Sequence, residues 1–261
     1  IGVRPINNIV DITNYILHAY GQPLHCFDAD KIKGGKIVVK TVAEGTTFVT
    51  LDEVERKLSD KDLMICNTEE PMCIAGVFGG LDSGTTEQTV DVFLESAYFN
   101  PTWVRKTARR HGLSTDSSFR FERGIDPNGT IYALKEAALL VQELAGGTIS
   151  SEIKDNYPAP IADFTVELNY EKVHSLIGKT IPVETIKSIV TSLEMKIVNE
   201  TPEGLTLQVP PYRVDVQRDC DVVEDILRIY GYNNVEIPTT LKSSLTTKGE
   251  VDYSQKLQNL I

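Results

Sequence analysis

The run VDVFLES, residues 90–96, has the alternating pattern of a β-strand. Alternation places Glu95 on the face that carries Phe93 and Ala97. Leu94 points to the other face. Burying a carboxylate without a partner costs several kcal/mol, so Glu95 needs a hydrogen-bond donor from the protein or from a ligand. The run therefore predicts a strand with an acid on a semi-apolar face, and it leaves the donor open.

Four similar β-like runs precede this strand, and clusters of Gly, Asp and Glu separate them. They are KIVVK from Lys36, FVTL from Phe48, LMIC from Leu63 and MCIAGV from Met72. Short runs with polar turns between them indicate a mostly antiparallel sheet.

Three helical patterns flank the strands. Apolar residues at steps of three and four predict the first helix, and a glycine follows each of the three. The pairs Asn100–Pro101 and Asp126–Pro127 supply an N-cap and a first-turn proline for the second and third. The predicted helices run from Ile9 to Tyr20, from Pro101 to before Gly112 and from Pro127 to near Gly146. Strands and helices together predict an α+β domain.

The segment YPAPIAD, residues 157–163, holds two prolines between periodic regions and is typical of a linker. Apolar spacing beyond it predicts a helix around Ile186–Leu193, followed by a hairpin that turns at TPEG from Thr201. A last amphipathic helix ends at Gly231. We therefore predict an α+β domain with a mixed, mostly antiparallel sheet over residues 1–157, a small α+β domain over 163–233 and a linker over 234–261.

Composition bounds the class of protein. With 261 residues, 41% of them hydrophobic, the chain has enough apolar material for a substantial core. No apolar run approaches the roughly 18 to 20 residues of a membrane span, and we expect a cytoplasmic protein. The four cysteines lack CxxC spacing, and we expect reduced, buried thiols. They are Cys26, Cys66, Cys73 and Cys220.

Positive charge is concentrated in RKTARRHGLSTDSSFRFERG, residues 105–124, although the formal net charge of the chain is -11. Such a cluster is either a solvated face with internal ion pairs or, less often, a phosphate-binding surface. Within FRFERG, ion pairs of Arg120 and Arg123 with Glu122 or other acids are the structural alternative. Composition alone does not choose between them.

Two polar segments surround the first helix. TNY (13–15) and QPLHCFD (22–28) place hydroxyl, amide and imidazole groups at opposite ends of one predicted helix–loop segment. A lone histidine such as His25, among apolar neighbours, is more often a packed core residue than a catalytic one. The glycines of AGVFGG (75–80) allow close backbone approach to a ligand, but they match neither Walker nor Rossmann spacing. A nucleotide cofactor is therefore not expected.

Four acids bracket the start of the last helix: Asp215, Asp221, Glu224 and Asp225. Acids in a first helical turn are favoured by the helix dipole without any metal. Four hard oxygen ligands in this place would also suit Mg²⁺, with water or another chain completing the octahedron. Both alternatives stay open on spacing alone.

Six co-linear motifs closely resemble the β subunit of bacterial phenylalanyl-tRNA synthetase. They are RPINNIVDITNY, GQPLHCFD, AGVFGG, LESAYF, RKTARRHGLSTDSSFRFERG and PPYRVDV followed by DVVEDILRIYGY. The match runs in order from Arg4 to about Tyr232. The resemblance implies an internal part of that subunit, the B3/B4 editing domain followed by the B5 domain, whose fold resembles DNA-binding modules.

The resemblance also implies an activity, hydrolysis of tyrosine wrongly esterified to the phenylalanine tRNA. A pocket made for phenylalanine cannot strongly exclude one extra hydroxyl, so a second site has to remove the errors. By motif, the resemblance implies catalytic roles for Thr13, Asn14 and His25 and substrate binding by Pro23, Ala75, Gly76, Gly79 and Glu95. In these roles Glu95 accepts the tyrosine hydroxyl, and His25 and Asn14 orient the ester or water.

The implied partners are the phenylalanine tRNA and an α subunit, in an α₂β₂ heterotetramer. Resemblance to the family favours Mg²⁺, shared with the α subunit, at the four acids of the last helix. We assign tRNA contact within the basic segment to Arg105, Arg109 and Arg110. No aminoacylation is expected from this part of the subunit alone. The alternative function is a non-catalytic scaffold for RNA binding and assembly, and the chemistry around His25 and Glu95 favours the hydrolase.

Overall fold

The structure, a computed structural model, describes residues 2–237 and 250–260. Its helices are α1 (Asn8–Tyr20), α2 (Pro101–His111), α3 (Asp116–Phe121), α4 (Thr130–Ala145), α5 (Tyr170–Ile177), α6 (Val183–Ser192), α7 (Asp219–Tyr230) and α8 (Glu250–Gln258). Its strands are β1 (Leu24–Asp28), β2 (Val38–Thr41), β3 (Thr47–Val49), β4 (Glu55–Lys57), β5 (Leu63–Cys66), β6 (Pro71–Ile74), β7 (Phe78–Gly79), β8 (Val92–Ser96), β9 (Phe164–Asn169), β10 (Lys196–Thr201) and β11 (Gly204–Val209). All pairings between described strands are antiparallel, which confirms the predicted α+β class.

The first part of the chain contains three small sheets, in the strand orders β2-β5-β6-β7, β1-β8 and β3-β4. Its main core is built around β5 and β6, where Met64 and Ile74 are fully buried and pair across the two strands. Phe27 of β1 belongs to the same core. This packing fixes β1 beside the four-stranded sheet.

Helices α1 and α4 cover the β1–β8 ribbon. Ile16 of α1 and Ala137 of α4 are fully buried in a shared cluster, against which Leu24 and Leu94 of the two strands pack. The hydroxyl of Ser96 also donates to the carbonyl of Thr130 at 2.7 Å. The helix pair therefore covers one side of the ribbon, and the side that carries Phe27 and Glu95 faces the main core.

A buried carboxylate fastens α2 to the turn before β5. Asp62 Oδ1 accepts hydrogen bonds from the Thr107 hydroxyl at 3.0 Å and from Arg110, while Oδ2 accepts from the Ser59 amide at 2.8 Å and lies 2.7 Å from His111 Nε2. Burial by itself would raise the pKa of Asp62, but the Ser59 and His111 contacts outweigh it, and the net shift is downward.

The second part of the chain has its own core. Strands in the order β10-β11-β9 form one sheet, and α5, α6 and α7 pack on it through a separate buried cluster that includes Leu207, Ile186 and Ile226. The two parts touch where Gly124, at φ +91°, meets the side chain of Val214. Residues 146–163, all of which the structure describes, form neither helix nor strand.

Most predicted elements are present, but α5, α8, β4, β7 and β9 were not predicted, and three further differences concern the first domain. QPLHCFD forms strand β1 where the pattern predicted a loop. The third predicted helix begins at Thr130, because Asp126 accepts the Asn128 amide at 2.9 Å and forms a turn instead of an N-cap. Helix α3 was not predicted; Thr115 and Ser118 cap its start reciprocally.

Two further expectations need comment. All four cysteines are free and three are buried, but Cys220 is exposed at the start of α7, so the expectation of burial was wrong for it. The predicted linker over 234–261 includes residues 238–249, which lie outside the described residues. Among the helices that the structure describes, none has the length and apolar character to span a bilayer.

Candidate functional site

A cavity of about 220 Å³ opens beside the β1–β8 ribbon. Its walls include Asn14 and Leu17 of α1, His25 of β1, Glu95 of β8 and Asp116 and Ser117 of α3. Segments from both ends of the first domain therefore meet at one concave site, which is where ligand sites are usually found.

His25 and Glu95 are direct cross-strand partners. Strand β1 pairs with β8 in the register that sets His25 opposite Glu95 and Phe27 opposite Phe93. Residues opposite one another on antiparallel strands project to the same face, with Cβ atoms roughly 4.5–5.5 Å apart. The imidazole and the carboxylate consequently reach the cavity side by side.

Glu95 receives no hydrogen bond from any described residue, and the only cause that shifts its titration is burial. Burial raises the pKa of Glu95 from 4.5 to about 7, because the ionised form loses hydration without gaining a partner. Cys73 is close enough for the charge of Glu95 to act on it, although burial is the main reason that the pKa of the Cys73 thiol is raised. The donor that the sequence left open is therefore not supplied by the described protein.

The imidazole of His25 is equally unpartnered. Its Nε2 is buried and forms no hydrogen bond within the described part of the chain. Burial lowers the pKa of His25 from 6.5 to about 4, so the ring is neutral at neutral pH. It packs edge-on against Phe27, with ring centroids 4.4 Å apart. A buried polar atom without a partner costs about 1–3 kcal/mol, which is the mark of a site that awaits a ligand or water.

The glycines of AGVFGG make room for protein groups. A Cβ on Gly79 would lie 2.8 Å from His25 Cε1, so the glycine is needed to seat the imidazole. Gly76 adopts φ +69°, and a Cβ there would lie 2.9 Å from the Phe99 ring. Both residues line the cavity, but the missing side chains leave space for His25 and for the core.

Six of the eight residues implied by the resemblance line the cavity and two do not. Those that line it are Asn14, Pro23, His25, Gly76, Gly79 and Glu95. Thr13 is buried, and its hydroxyl donates to the carbonyl of Val10 at 2.7 Å. Ala75 is buried in the core beside the cavity. These two positions shape the helix and the core behind the wall.

Sequence reasoning missed two hydroxyls in the wall, those of Thr115 and Ser117. Thr115 donates to the carbonyl of Val77 at 2.8 Å, and Ser117 donates to that of Gly76 at 3.2 Å. The signal was present, since a threonine followed directly by an acid, Thr115–Asp116, is typical of an N-cap and a first helical turn. Recognising α3 would have placed STDSS against the glycine turn.

The basic segment divides into paired and unpaired cations. Arg110 is bound to the buried carboxylate of Asp62, which favours a structural role for it over the predicted tRNA contact. Arg105 and Arg109 are exposed on α2. Arg120 pairs with Asp116 at 3.2 Å and Arg123 with Glu122 at 2.7 Å, as the structural alternative predicted.

The four acids of the last helix do not form a ligand group for Mg²⁺. Asp225 binds Arg213 at 2.5 Å, and Asp221 binds Arg218 at 2.8 Å while accepting the Arg218 amide. Within residues 2–237 and 250–260, no three carboxylates, imidazoles or thiols are arranged to hold a metal ion. Arginines neutralise Asp221 and Asp225, so two of the four predicted ligands are engaged within the chain, and the described residues do not by themselves fit the ion.

Comparison with known proteins gives the family. The B3/4 domain model matches residues 1–146 and the tRNA synthetase B5 domain model matches residues 166–232. The chain is 82% identical over 261 residues to the phenylalanine–tRNA ligase beta subunit of Bacteroides fragilis, matching 100% of this chain and 32% of that protein. It is 58% identical over 262 residues to that of Porphyromonas gingivalis, with the same coverage of 100% and 32%.

The chain thus spans about a third of the length of the curated relatives it matches. A solved N-terminal fragment of the phenylalanyl-tRNA synthetase beta subunit from Pyrococcus horikoshii aligns with 86% of this chain and 65% of that chain, at 16% identity and a TM-score of 0.43. The chain belongs to the B3/4 domain family, in whose domain the His25–Glu95 cavity lies, and over its whole length it is similar to part of phenylalanine–tRNA ligase beta subunits.

Proposed function

We propose that the B3/4 cavity hydrolyses the ester between tyrosine and the acceptor end of a phenylalanine tRNA. The observation that carries this proposal is the pair of unpartnered groups, the Glu95 carboxylate and His25 Nε2, set side by side in a cavity of about 220 Å³. Neither group has a hydrogen-bond partner among residues 2–237 and 250–260, and a tyrosyl ester with its attacking water offers a partner to each.

Glu95 supplies the discrimination. An ionised carboxylate accepts a hydrogen bond from the tyrosine hydroxyl and recovers the interaction that burial removed. Phenylalanine covers the same carboxylate without offering a donor. Leaving a buried charged acceptor unpaired costs roughly 1–3 kcal/mol, which corresponds to a ten- to a hundredfold preference for tyrosine.

His25 and Asn14 orient the reacting groups. Since its pKa is about 4, His25 is a weak base, and its neutral Nε2 accepts a hydrogen bond from water more readily than it removes a proton. The water oxygen attacks the ester carbonyl carbon and gives up one proton to solvent, the bond from that carbon to the ribose oxygen breaks, and the ribose oxygen takes up a proton from solvent. The ester is already activated, so positioning provides the acceleration.

The wider role follows from the relatives' name. A beta subunit implies an alpha subunit, and a phenylalanine–tRNA ligase implies the cognate tRNA as substrate. We include both as partners of the longer protein. Aminoacylation belongs to that complete enzyme in this proposal, whereas the chain described here contributes hydrolysis.

Single-turnover deacylation of tyrosyl- and phenylalanyl-tRNA by the chain tests the proposal. Glu95→Ala should lose tyrosyl-tRNA hydrolysis and keep its residual rate on phenylalanyl-tRNA. His25→Ala should slow both substrates by a similar factor, because orientation of the ester does not sense the ring hydroxyl. Glu87→Gln, which neutralises an exposed acid of the same domain, is the matched control. If Glu95→Ala keeps the wild-type ratio of tyrosyl- to phenylalanyl-tRNA hydrolysis rates, Glu95 does not set the specificity. If the wild-type chain releases no tyrosine, the hydrolase is refuted and the non-catalytic scaffold remains as the function.

A further inference from the structure

The outer part of α3 forms a rim of the cavity. Asp116 and Ser117, at the start of the helix, line the wall. One turn later Arg120 donates to the carbonyl of Asp116 at 3.0 Å and to its carboxylate at 3.2 Å. Phe119 beside it is 50% exposed. A cation and an exposed aromatic ring therefore lie on the same short helix as two residues of the cavity wall.

Arg120 also contacts α1, which forms another part of the cavity wall. Its Nη2 lies 3.3 Å from Nδ1 of His18, in the last turn of α1, the helix that supplies Asn14 and Leu17 to the cavity. A guanidinium has donors only, so His18 Nδ1 accepts and the ring proton is on Nε2. The exposed His18 ring and Arg120 thus present N–H donors at one place, which suits a phosphate oxygen.

Phe119 carries a surface for stacking. The guanidinium carbon of Arg123 lies 3.6 Å from the Phe119 ring centroid, and Arg123 is itself held by Glu122 at 2.7 Å and by the Phe119 carbonyl at 3.0 Å. The cation covers one face of the ring, while half of the residue stays exposed. An exposed aromatic ring backed by arginine is a common platform for a nucleotide base.

We propose that this α3 rim, made of His18, Phe119 and Arg120, holds the last nucleotides of a single-stranded RNA 3′ end. Arg120 and His18 contact a phosphate, and Phe119 stacks on a base. The inference rests on the proposed function, since an ester bound in the cavity places the terminal ribose at its mouth and the next phosphate outside it.

Charge favours this occupant. The chain as a whole is acidic, with a net charge of -11, and repels RNA, so anchoring falls to local clusters of donors. Arg110 of α2 is occupied by Asp62, whereas the contacts of Arg120 are to an Asp116 carboxylate that is 68% exposed and to His18. Arg120 can turn its remaining donors to a phosphate without breaking a buried ion pair.

The test is binding of a short single-stranded RNA ending in CCA to the whole chain at several salt concentrations. Arg120→Gln should weaken binding about tenfold and reduce the slope of log affinity against log salt by about 0.7, the value for one phosphate contact on a single strand. Phe119→Leu should weaken binding about fivefold or more with the slope unchanged. Arg228→Gln removes the same charge from an exposed arginine of α7 and should change neither quantity.

A second variant distinguishes direct contact between Arg120 and RNA from a structural role of Arg120 in stabilising α3. Asp116→Asn breaks the ion pair of Arg120 but keeps the guanidinium. If Arg120 contacts RNA, Asp116→Asn binds at least as tightly as wild type. If Asp116→Asn weakens RNA binding as much as Arg120→Gln does, or if Arg120→Gln leaves affinity and slope intact, the inference is overturned.

Hydrolysis of tyrosine ethyl ester, which has no RNA, distinguishes this inference from the proposed function. Wild type, Arg120→Gln and Phe119→Leu should cleave it at equal rates, because the α3 rim lies outside the pocket for the amino acid. If the variants lose RNA binding but the wild type cleaves no tyrosine ethyl ester, the α3 rim is supported and the hydrolase is refuted. If the wild type cleaves the ester and the variants bind RNA as tightly as the wild type, the hydrolase is supported and the α3 rim is refuted.

Discussion

At the scale of single residues, His25 and Glu95 respond to protons in opposite directions. In the folded chain burial raises the pKa of Glu95 to about 7, so the carboxyl stays protonated below that pH. Burial lowers the pKa of His25 to about 4, so the imidazole stays neutral above that pH. Alternation alone placed Glu95 on the Phe93 face, but it gave no indication of His25 as its neighbour. Strand register depends on distant packing, and the turn-like Gln22–Pro23 pair directly before β1 concealed the strand.

This opposition predicts two pH dependences of unfolding. For Glu95 the unfolded chain releases its proton near pH 4.5 and the folded chain near 7, so stability falls as pH rises through that window. For His25 the unfolded chain takes a proton below pH 6.5 and the folded chain only below about 4, so stability rises with pH through that window. The two contributions nearly cancel in the wild type.

Single substitutions should expose each contribution, on the order of 3 kcal/mol. Relative to wild type, Glu95→Gln should become more stable as pH rises from 4.5 to 7, and His25→Gln should become more stable as pH falls from 6.5 to 4. Urea unfolding across this range measures both, with Glu87→Gln as the control. If the free energies of unfolding of the two variants, relative to wild type, change in the same direction with pH, the opposite pKa shifts of Glu95 and His25 are refuted.

The selectivity of the proposed hydrolysis should also depend on pH. Ionised Glu95 is the stronger acceptor for the tyrosine hydroxyl, so the tyrosine-to-phenylalanine rate ratio should rise through about pH 7 in the wild type. Single-turnover rates between pH 5.5 and 8.5, corrected for spontaneous hydrolysis, give the ratio. Glu95→Gln should give a flat profile, and a wild-type ratio that does not change with pH would rule out ionisation of Glu95 as its origin.

At the scale of elements, patterning predicted the long helices and missed the short connections. Helices α1, α2 and α7 carry clear apolar stripes and glycine caps, and each was predicted close to its observed limits. Helix α3 has six residues, too few for a periodic signal. Position within an element did not show what a side chain binds. Arg110 belongs to a basic run, and only the fold brings Asp62 to it.

The Asp62 cluster should contribute strongly to stability. Asp62→Ala removes a fully buried carboxylate and leaves His111 and Arg110 without their partner, which should cost about 3–5 kcal/mol. Glu70→Ala removes a carboxylate that binds Lys33 at 2.7 Å on the surface and should cost about 0–1 kcal/mol. Equilibrium unfolding compares the two variants. Similar losses would mean that the buried cluster contributes no more than an exposed pair.

At the scale of the whole molecule, the two parts of the chain have separate cores and meet at a tight contact. A Cβ on Gly124 would lie 2.6 Å from Val214 Cγ1, and the backbone of Gly124 is left-handed at φ +91°. The proline-rich segment predicted the division between the parts, since composition marks linkers. No local pattern predicted the contact, because its two residues belong to different domains.

A double-mutant cycle should measure this contact. Gly124→Ala clashes with Val214 and strains the backbone, and Val214→Ala should relieve the clash but not the strain, giving a coupling of about 0.5–3 kcal/mol. Gly112→Ala is the matched control, because Gly112 has φ +63° and no atom within 4 Å of its missing Cβ. Its effect should add to that of Val214→Ala. If the free-energy changes of Gly124→Ala and Val214→Ala also add, the two domains are not tightly packed at this contact.

The ribbon of β1 and β8 has a consequence for the order of synthesis. Leu24 pairs with Ser96, and the ribbon is covered by Ala133 and Ala137 of α4, so His25 leaves the ribosome long before its neighbours exist. A partly made chain therefore has an imidazole without Glu95, and then a ribbon without its covering helix. We expect a chain that stops before α4 to release no tyrosine from tyrosyl-tRNA. In the proposed function, hydrolysis therefore begins only after α4 has been synthesised and packed on the ribbon.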